Sequence, residues 1–264
     1  MSAIAAARQR YVELIRKREH ISSPRLLQAL AAVPREDFLP RGPWRIKSEA
    51  ARDYRFTPDA DPIHLYDNVL VAIDARRKLD TGLPSLWARF IDVLDVGEKQ
   101  RVVQVGCGLG YFSAILSEMV GPKGAVLAIE CDGKLVRRAE VCLRRYRNVD
   151  VVHGDGCRDI GGPADVIIVH AGFSHPHPLW LESLRARGRL LVPLTQRDRE
   201  GTVVRIKRRG KGFEAEAIRQ IRIFPGKGRG ATALHDRVAD WWERASALGP
   251  LRFRGIEQGL PADA

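Results

Sequence analysis

A glycine-rich turn between an apolar strand and an amphipathic helix constrains this chain more than any other feature. Residues 102–105 predict the strand, the helical pattern begins at Tyr111, and Gly106, Gly108 and Gly110 lie between them. Glycine permits positive φ and lets a ligand approach the main chain where a Cβ would collide. The first N–H groups of the helix face the same place, outside the carboxyl end of the strand. The turn therefore predicts an α/β fold with a ligand crevice, although a packing turn can have the same sequence.

An acidic residue follows the next apolar run. Residues 125–129 predict a second buried strand, which ends on Glu130. An acid in this position can hold both hydroxyls of a ribose, and a solvated acid at a strand end is the alternative. The third glycine of the turn comes one residue too early for the dinucleotide pattern G-x-G-x-x-G.

This compact spacing resembles the Rossmann-like class of S-adenosylmethionine-dependent methyltransferases. The resemblance implies that the glycine turn faces the methionine part of the cofactor and that Glu130 binds its ribose. It also implies that Asp155 binds adenine. Asp155 lies in a Gly-Asp-Gly motif, which is also typical of a plain turn. The implied cofactor contacts are Gly106, Cys107, Gly108, Gly110, Tyr111, Glu130, Cys131, Gly154, Asp155 and Gly156.

Strands and helices alternate from residue 101 onward, which predicts a doubly wound, mostly parallel sheet covered on both faces. Residues 202–207 and 213–223 predict an antiparallel hairpin that closes the edge of this sheet. We expect three parts: N-terminal helices and a crevice loop over 1–83, the cofactor domain over 84–225, and a helical extension over 226–264. Apolar positions at Trp241 and Trp242 predict that a helix of the extension docks on the core.

Two further sequence motifs resemble motifs of the protein-L-isoaspartate O-methyltransferases. After two predicted helices, 4–18 and 24–33, residues 33–40 read VPREDFLP, which is similar to the family segment V-P-R-x-x-F-x-P. Residues 165–171 resemble the fourth strand of the family. The resemblance covers about residues 8–225 and implies methyl transfer to a carboxylate on a peptide or protein, in protein repair, with S-adenosylhomocysteine as product.

The sequence departs from this family at the expected reaction centre. The family has a motif G-x-T-x-S-x-P before the helix that precedes the first strand. When this motif is aligned on Pro84, Asp80 takes the position of the threonine and Gly82 that of the serine. His170 replaces a threonine at the end of the fourth strand, where an imidazole could orient a substrate, act as a base near neutral pH or be structural. The candidates for the reacting end are therefore Asp80, Thr81 and His170.

Residues 42–81 lack a regular spacing of apolar residues. We therefore expect an irregular loop over the crevice with one short strand near 69–73. Its Arg76, Arg77 and Lys78 would favour an acidic or phosphorylated acceptor if they face the crevice. His175 and His177 have no third ligand nearby, so no metal site is expected.

Charge and composition limit the partners. The formal charge is +12, and residues 196–230 hold 11 basic and 4 acidic side chains. Such a stripe attracts phosphate backbones or acidic polypeptides, or it is a solvated hairpin, and it lacks the interleaved aromatics of single-strand binders. No apolar run approaches the roughly 18 residues of a membrane span. Four cysteines without a C-x-x-C pair favour a reducing, cytoplasmic location.

These observations leave the acceptor open. It is a peptide or protein carboxylate in the main interpretation, and a small molecule or RNA in the alternatives. A non-catalytic regulator that binds S-adenosylmethionine is a further alternative, prompted by the missing family hydroxyls. The oligomeric state is not determined by the sequence.

Overall fold

The computed structural model describes residues 2–77, 79–195, 200–223, 249–257 and 259–262, together with Gly226, Trp242 and Arg244. Its α-helices are α1 (Ala3–Glu19), α2 (Pro24–Ala32), α3 (Pro84–Val93), α4 (Tyr111–Val120), α5 (Gly133–Leu143) and α6 (Pro178–Glu182). Its strands are β1 (Arg45–Ser48), β2 (Arg55–Phe56), β3 (Val69–Asp74), β4 (Leu79–Asp80), β5 (Arg101–Val105), β6 (Ala125–Glu130), β7 (Val149–His153), β8 (Ala164–Val169), β9 (Leu184–Thr195), β10 (Glu200–Arg209), β11 (Gly212–Arg222), β12 (Leu251–Phe253), β13 (Gly255–Glu257) and β14 (Leu260–Ala262).

The central sheet has eight strands in the order β12-β11-β10-β9-β8-β5-β6-β7. Strands β5 to β9 pair in parallel, and β10 to β12 extend the sheet in antiparallel pairs. The chain proceeds from β5 outward to β6 and β7 and then returns to β8 on the other side of β5. Ligands of open α/β sheets bind at such a reversal, outside the carboxyl ends of the strands.

The two faces of this sheet pack on different layers. Val102 and Val166 belong to the apolar cluster under α1 to α4, whereas their neighbours Val103 and Ile167 pack on the opposite face with Trp180. Successive residues of a strand point to opposite faces, so a strand buried on both sides is apolar along most of its length. The predicted doubly wound, mostly parallel sheet is thereby confirmed.

The segment 42–81 is more ordered than the sequence indicated. It forms a four-stranded antiparallel sheet in the order β2-β1-β3-β4, with a small core around Trp44, Ile46, Leu65 and Val71. The strand near 69–73 is confirmed as β3, but the prediction of an otherwise irregular loop was wrong. Two of the four strands have only two residues, which is too short for a period-2 pattern to be visible.

Arg35, from the VPREDFLP segment, anchors this small sheet. Its side chain is 3% exposed and donates hydrogen bonds to the carbonyl oxygens of Leu65, Asp67 and Val69, the last two at 3.2 and 3.1 Å. The Tyr66 hydroxyl accepts a hydrogen bond from the Arg35 backbone N–H at 3.2 Å. One buried guanidinium thus ties together three carbonyl groups around the turn before β3, of which that of Asp67 also accepts the Val69 N–H at 2.9 Å.

The C-terminal part adds strands after the segment in which the sequence predicted a helix. β12 pairs with β11, so the hairpin of β10 and β11 is not the sheet edge, and β13 and β14 form a separate pair. Trp242 is fully buried, packs on Phe253 and donates to the Gly259 carbonyl at 2.9 Å. Trp241 and most of the predicted helix lie outside the described residues. Among the helices that the structure describes, none is both long and apolar enough to cross a membrane.

We expect Arg35→Met to lower the free energy of unfolding by about 3 kcal/mol, because it leaves buried carbonyl oxygens without donors. Urea denaturation at neutral pH measures the change. Arg16→Met is the control, since Arg16 forms an exposed ion pair with Glu13 and such pairs contribute little. Equal effects of the two substitutions would show that Arg35 does not anchor the small sheet.

Candidate active site

Two contiguous cavities open at the carboxyl ends of β5, β6 and β8. We call the first the acidic cavity, because Glu130, Asp132 and Asp155 lie in its wall. We call the second the aromatic cavity, because Phe38, Trp87, Tyr111 and Phe112 lie in its wall. Both are lined by Ile73, Asp80, Gly106, Gly108 and His170. The cavities therefore meet at the glycine turn, where the sequence predicts a crevice.

The turn itself is fixed by hydrogen bonds to the neighbouring strand. The N–H groups of Gly106 and Cys107 donate to the Ile129 carbonyl at 2.8 and 3.1 Å. Gly108 has a φ of +59°, and a Cβ built there would meet nothing within 4 Å. The space above Gly108 is thus open, and its main chain is accessible to a ligand in either cavity.

The third glycine of the turn has a different role. Gly110 lines neither cavity. It is the N-cap of α4 with a φ of +90°, and a Cβ there would lie 2.6 Å from Leu143 Cδ1. Packing of α4 against α5 therefore requires this glycine. Cys107 and Tyr111, also predicted cofactor contacts, line the aromatic cavity only.

Glu130 is held in place by the main chain on both sides. Its side chain is buried, Oε2 accepts the Gly108 N–H at 2.9 Å, and Oε1 accepts the Asp132 N–H at 3.0 Å. Each carboxylate oxygen has a second lone pair. The carboxylate is therefore pre-oriented and keeps capacity to accept hydrogen bonds from vicinal hydroxyls in the acidic cavity, where Cys131 also lies.

The loop after β7 forms the opposite wall of the acidic cavity. Asp155 Oδ1 accepts the Cys157 N–H at 2.9 Å, and the Gly154 N–H donates to the Glu130 carbonyl at 3.0 Å. Trp180 Nε1 donates to the Gly156 carbonyl at 2.7 Å. A Cβ on Gly156 would lie 2.7 Å from Val105 Cγ1, so this glycine allows the loop to approach β5.

Asp80 lies between the two cavities. Its carboxylate accepts hydrogen bonds from the Tyr54 hydroxyl and the Gly82 N–H, both at 2.9 Å. Burial raises the pKa of the Asp80 carboxyl, and the bonds from Gly82 and Tyr54 act against this rise. Asp80 thus supplies a fixed carboxylate to the wall of both cavities. Tyr54, which fixes it, had no recognisable signal in the sequence.

The Thr81 hydroxyl is already engaged. It accepts the Val71 N–H at 3.1 Å and donates to the Gly82 carbonyl at 3.2 Å. These bonds connect β3 to the chain that follows β4. Thr81 lines the aromatic cavity, but its side chain acts in the main-chain hydrogen-bonding of the small sheet.

His170 projects into the same wall as a neutral ring. It is stacked on Trp87 with ring centroids 3.7 Å apart and 12° between the planes, and Phe112 lies 5.4 Å away. Burial lowers the pKa of His170 to about 3. An imidazole with that pKa is a weak base, so the structure does not support the predicted role as a base near neutral pH. It leaves the role of orienting a substrate and the structural role.

Trp87 fills the space next to Gly82. A Cβ on Gly82 would lie 2.6 Å from Trp87 Cδ1 and closer still to Nε1, and Gly82 has a φ of +72°. A side chain at position 82 is therefore excluded twice, by the indole and by the backbone conformation. The helical pattern predicted that Trp87 is buried, but it carried no signal that its ring reaches the crevice.

Among the described residues, the two basic clusters that the sequence indicated contribute only one basic side chain, that of Arg77, to the walls of the two cavities. Arg77 lines the acidic cavity and pairs with Asp132, Arg76 is exposed, and Lys78 lies outside the described residues. The hairpin of β10 and β11 points away from the crevice, because Gly201 pairs with Thr195 at the carboxyl end of β9 and Lys207 with Arg189. Its tip near Arg209 is about 25 Å from that end at the usual rise of a strand.

No group of three His, Cys, Asp or Glu side chains suited to a metal ion occurs in the part of the chain that the structure describes. The Nδ1 atom of His177 accepts the Leu179 N–H at 3.3 Å as the N-cap of α6, and Nδ1 of His175 is 3.3 Å from the Ser174 hydroxyl. Local hydrogen bonds account for both rings.

Comparison with known proteins gives a consistent result. A family model described as protein-L-isoaspartate(D-aspartate) O-methyltransferase matches residues 6–229. A protein-L-isoaspartate O-methyltransferase of Methanothermobacter thermautotrophicus is 30% identical over 192 residues, which is 71% of this chain and 79% of that protein. The protein-L-isoaspartate O-methyltransferase 2 of Archaeoglobus fulgidus is 34% identical over 192 residues, which cover 71% of this chain and 78% of that protein.

Solved structures share the fold. A protein-L-isoaspartate O-methyltransferase structure gives a TM-score of 0.72 at 24% identity, covering 85% of this chain and 67% of that one. A Plasmodium falciparum protein described as an enzyme of this type, in complex with S-adenosyl-L-homocysteine, gives 0.65 at 16% identity, covering 82% and 96%.

The depressed pKa of His170 predicts an acid-dependent loss of stability. Because an unfolded histidine has a pKa near 6.5, the unfolded chain binds one proton more than the folded chain between about pH 6.5 and pH 3. The contribution of His170 is complete above pH 6.5 and decreases as the pH falls, by about 2 kcal/mol between pH 7 and pH 5. Urea denaturation at these two pH values measures the free energy of unfolding. Its decrease from pH 7 to pH 5 should be about 2 kcal/mol smaller in His170→Phe than in the wild type. Equal losses in both proteins would contradict the assignment.

Proposed function

The chain belongs to the protein-L-isoaspartate(D-aspartate) O-methyltransferase family, and on this premise we propose that it is an S-adenosylmethionine-dependent enzyme that methylates a carboxylate of a peptide or protein. The observation that carries the proposal is the junction of the acidic and aromatic cavities at Gly108. The Glu130 carboxylate lies beside this junction and accepts the Gly108 N–H. One cavity suits a nucleoside with vicinal hydroxyls, and the other suits an acceptor.

The acidic cavity fits the adenosyl group. Glu130 would accept the ribose hydroxyls, Asp155 would accept the adenine amino group, and the open main chain at Gly106 and Gly108 would allow the cofactor to approach. S-adenosylmethionine supplies an activated methyl group on a sulfonium when it is bound. The residues of the chain align the acceptor with this group and exclude water, which can contribute about 7–11 kcal/mol of barrier lowering.

A carboxylate acceptor agrees with the state of the polar side chains that line the aromatic cavity, where the Asp80 carboxylate already accepts hydrogen bonds from Tyr54 and Gly82. An ionised carboxylate attacks a methyl group without losing a proton, so no general base is required. His170 is neutral and weakly basic, and the Thr81 hydroxyl is bonded to the main chain. The enzyme would therefore work by positioning, as the family members do in the implied reaction. We propose a peptide or protein as acceptor rather than RNA, because the basic hairpin tip lies away from both cavities.

Asp80 is proposed to favour the cofactor over the product. S-adenosylmethionine carries a positive sulfonium, whereas S-adenosylhomocysteine has a neutral thioether. A fixed carboxylate in the wall of both cavities attracts the cation and not the thioether, which promotes exchange of product for cofactor. A cytoplasmic location is proposed on the ground that the sequence has four cysteines and no C-x-x-C pair.

We expect Glu130→Gln to weaken the binding of S-adenosylmethionine about ten- to a hundredfold, because hydrogen bonds to an ionised carboxylate are replaced by bonds to an amide. Calorimetric titration of the purified protein measures the affinity, and methylation of an isoaspartyl peptide on the same sample measures turnover. Asp150→Asn, an exposed acid on the neighbouring strand β7, is the matched control and should bind as the wild type does.

Each outcome of this experiment is decisive. Binding with turnover supports the proposal in full. Binding without turnover on the isoaspartyl peptide would overturn the acceptor and leave a regulator or a different substrate. No binding of either S-adenosyl compound would overturn the cofactor assignment.

We expect Asp80→Asn to lower the affinity for S-adenosylmethionine about tenfold and to leave that for S-adenosylhomocysteine within about twofold, since only the former loses a charge–charge attraction. The asparagine oxygen can still accept the Gly82 N–H, and its amide NH2 can donate to the Tyr54 hydroxyl in place of the other carboxylate oxygen, which keeps the geometry. Titration of both compounds into the variant gives the ratio. A parallel loss for both compounds would show that Asp80 acts through structure and not through charge.

A further inference from the structure

We propose that the stacked rings of Trp87 and His170 bind the carboxylate of the acceptor through their ring N–H groups. This inference rests on the proposed methyl transfer to a carboxylate and specifies which residues recognise it. Both rings lie in the wall of the aromatic cavity, and they come from different parts of the fold, α3 and the end of β8.

The indole of Trp87 is exceptional among the described tryptophans. Trp44, Trp180 and Trp242 donate their Nε1–H to the carbonyl oxygens of Pro40, Gly156 and Gly259, at 2.7, 2.7 and 2.9 Å. Trp87 is 4% exposed, and its Nε1–H donates to no residue that the structure describes. A buried indole N–H normally has an acceptor. The Nε1 atom of Trp87 lies against Gly82, and both residues line the aromatic cavity.

The imidazole of His170 has the same property. Its Nε2 atom is buried and has no hydrogen-bond partner among the described residues. The stack on Trp87 keeps the two rings nearly parallel with their centroids 3.7 Å apart, so the two rings belong to one small patch of wall. With the proton on Nε2, the neutral imidazole is a donor beside the indole donor.

The neighbouring side chains do not compete for this role. Position 82 has no side chain, because the Trp87 indole occupies the space that one would need. The Thr81 hydroxyl is bonded to Val71 and Gly82. The two ring nitrogens are therefore the unengaged polar atoms of this patch among the described residues.

A carboxylate is the ligand that matches this patch. The two oxygens of one carboxylate can accept hydrogen bonds from donors on two stacked rings, or one oxygen can accept while the other attacks. The buried guanidinium of Arg35 also lines the aromatic cavity, and it forms no ion pair with a described carboxylate. Its charge adds to the attraction for an anionic acceptor.

The test compares ring variants that keep the stack and lose the donor. Trp87→Phe and His170→Phe are each titrated, in the presence of saturating S-adenosylhomocysteine, with an isoaspartyl peptide and with its neutral isoasparagine analogue. Trp44→Phe is the matched control, because it removes an indole N–H that donates to Pro40 in the small sheet and reaches neither cavity. Titration with S-adenosylhomocysteine alone shows that each variant keeps a folded cofactor site.

We expect each variant to bind the isoaspartyl peptide about tenfold more weakly than the wild type and to bind the analogue about as the wild type does. KM for the peptide should rise while kcat changes less, which a purely structural defect would not produce. Unchanged peptide affinity in both variants, with S-adenosylhomocysteine still bound, would overturn this inference and leave the proposed function intact. Failure of the wild type to bind the peptide would overturn both.

Discussion

The crevice depends on hydrogen bonds that tie the end of each parallel strand to the loop after its neighbour. The Val105 carbonyl accepts the His170 N–H at 2.8 Å, the Ile129 carbonyl accepts the turn of Gly106, and the Glu130 carbonyl accepts the Gly154 N–H at 3.0 Å. Each bond continues the ladder by one step beyond the regular sheet. The loops that carry the side chains of the site are consequently fixed at one level relative to each other, although they lie far apart in sequence. Such a rigid support is what a reaction driven by positioning requires.

The parts of the site that could be predicted are those encoded within a short stretch. Gly106, Gly108, Glu130 and Asp155 each follow a strand, and a strand buried on both faces is visible as an apolar run. The parts that could not be predicted come from contacts between distant stretches. The low pKa of His170 arises from burial in a wall shared with Trp87, 83 residues earlier, so the sequence alone allowed a base at neutral pH. The small sheet was missed because two of its strands are single dipeptides.

The net charge of +12 overstates the basic surface, because many of the arginines serve the interior. Arg205 donates to the Val93 carbonyl at the end of α3 and pairs with Glu216, and Arg189 donates to the next carbonyl, that of Leu94, at 2.6 Å. Arg208 donates to the Leu184 carbonyl at 2.5 Å, and Arg219 pairs with Glu19 at 2.7 Å. These guanidinium groups satisfy helix and strand ends, a task that needs a long side chain with several donors. A count of charges along the sequence cannot separate this use from a surface for nucleic acid.

The contact between Gly82 and Trp87 also limits how such a site can change over generations. A serine or any other side chain at position 82 meets the indole, so a hydroxyl cannot be introduced there without displacing Trp87. The ring has to shrink first, and that intermediate loses the partner on which His170 stacks. The three positions are therefore expected to change together or not at all in descendants of this chain. Positions 82, 87 and 170, read jointly, would sort related sequences into two kinds of acceptor wall before any activity is measured.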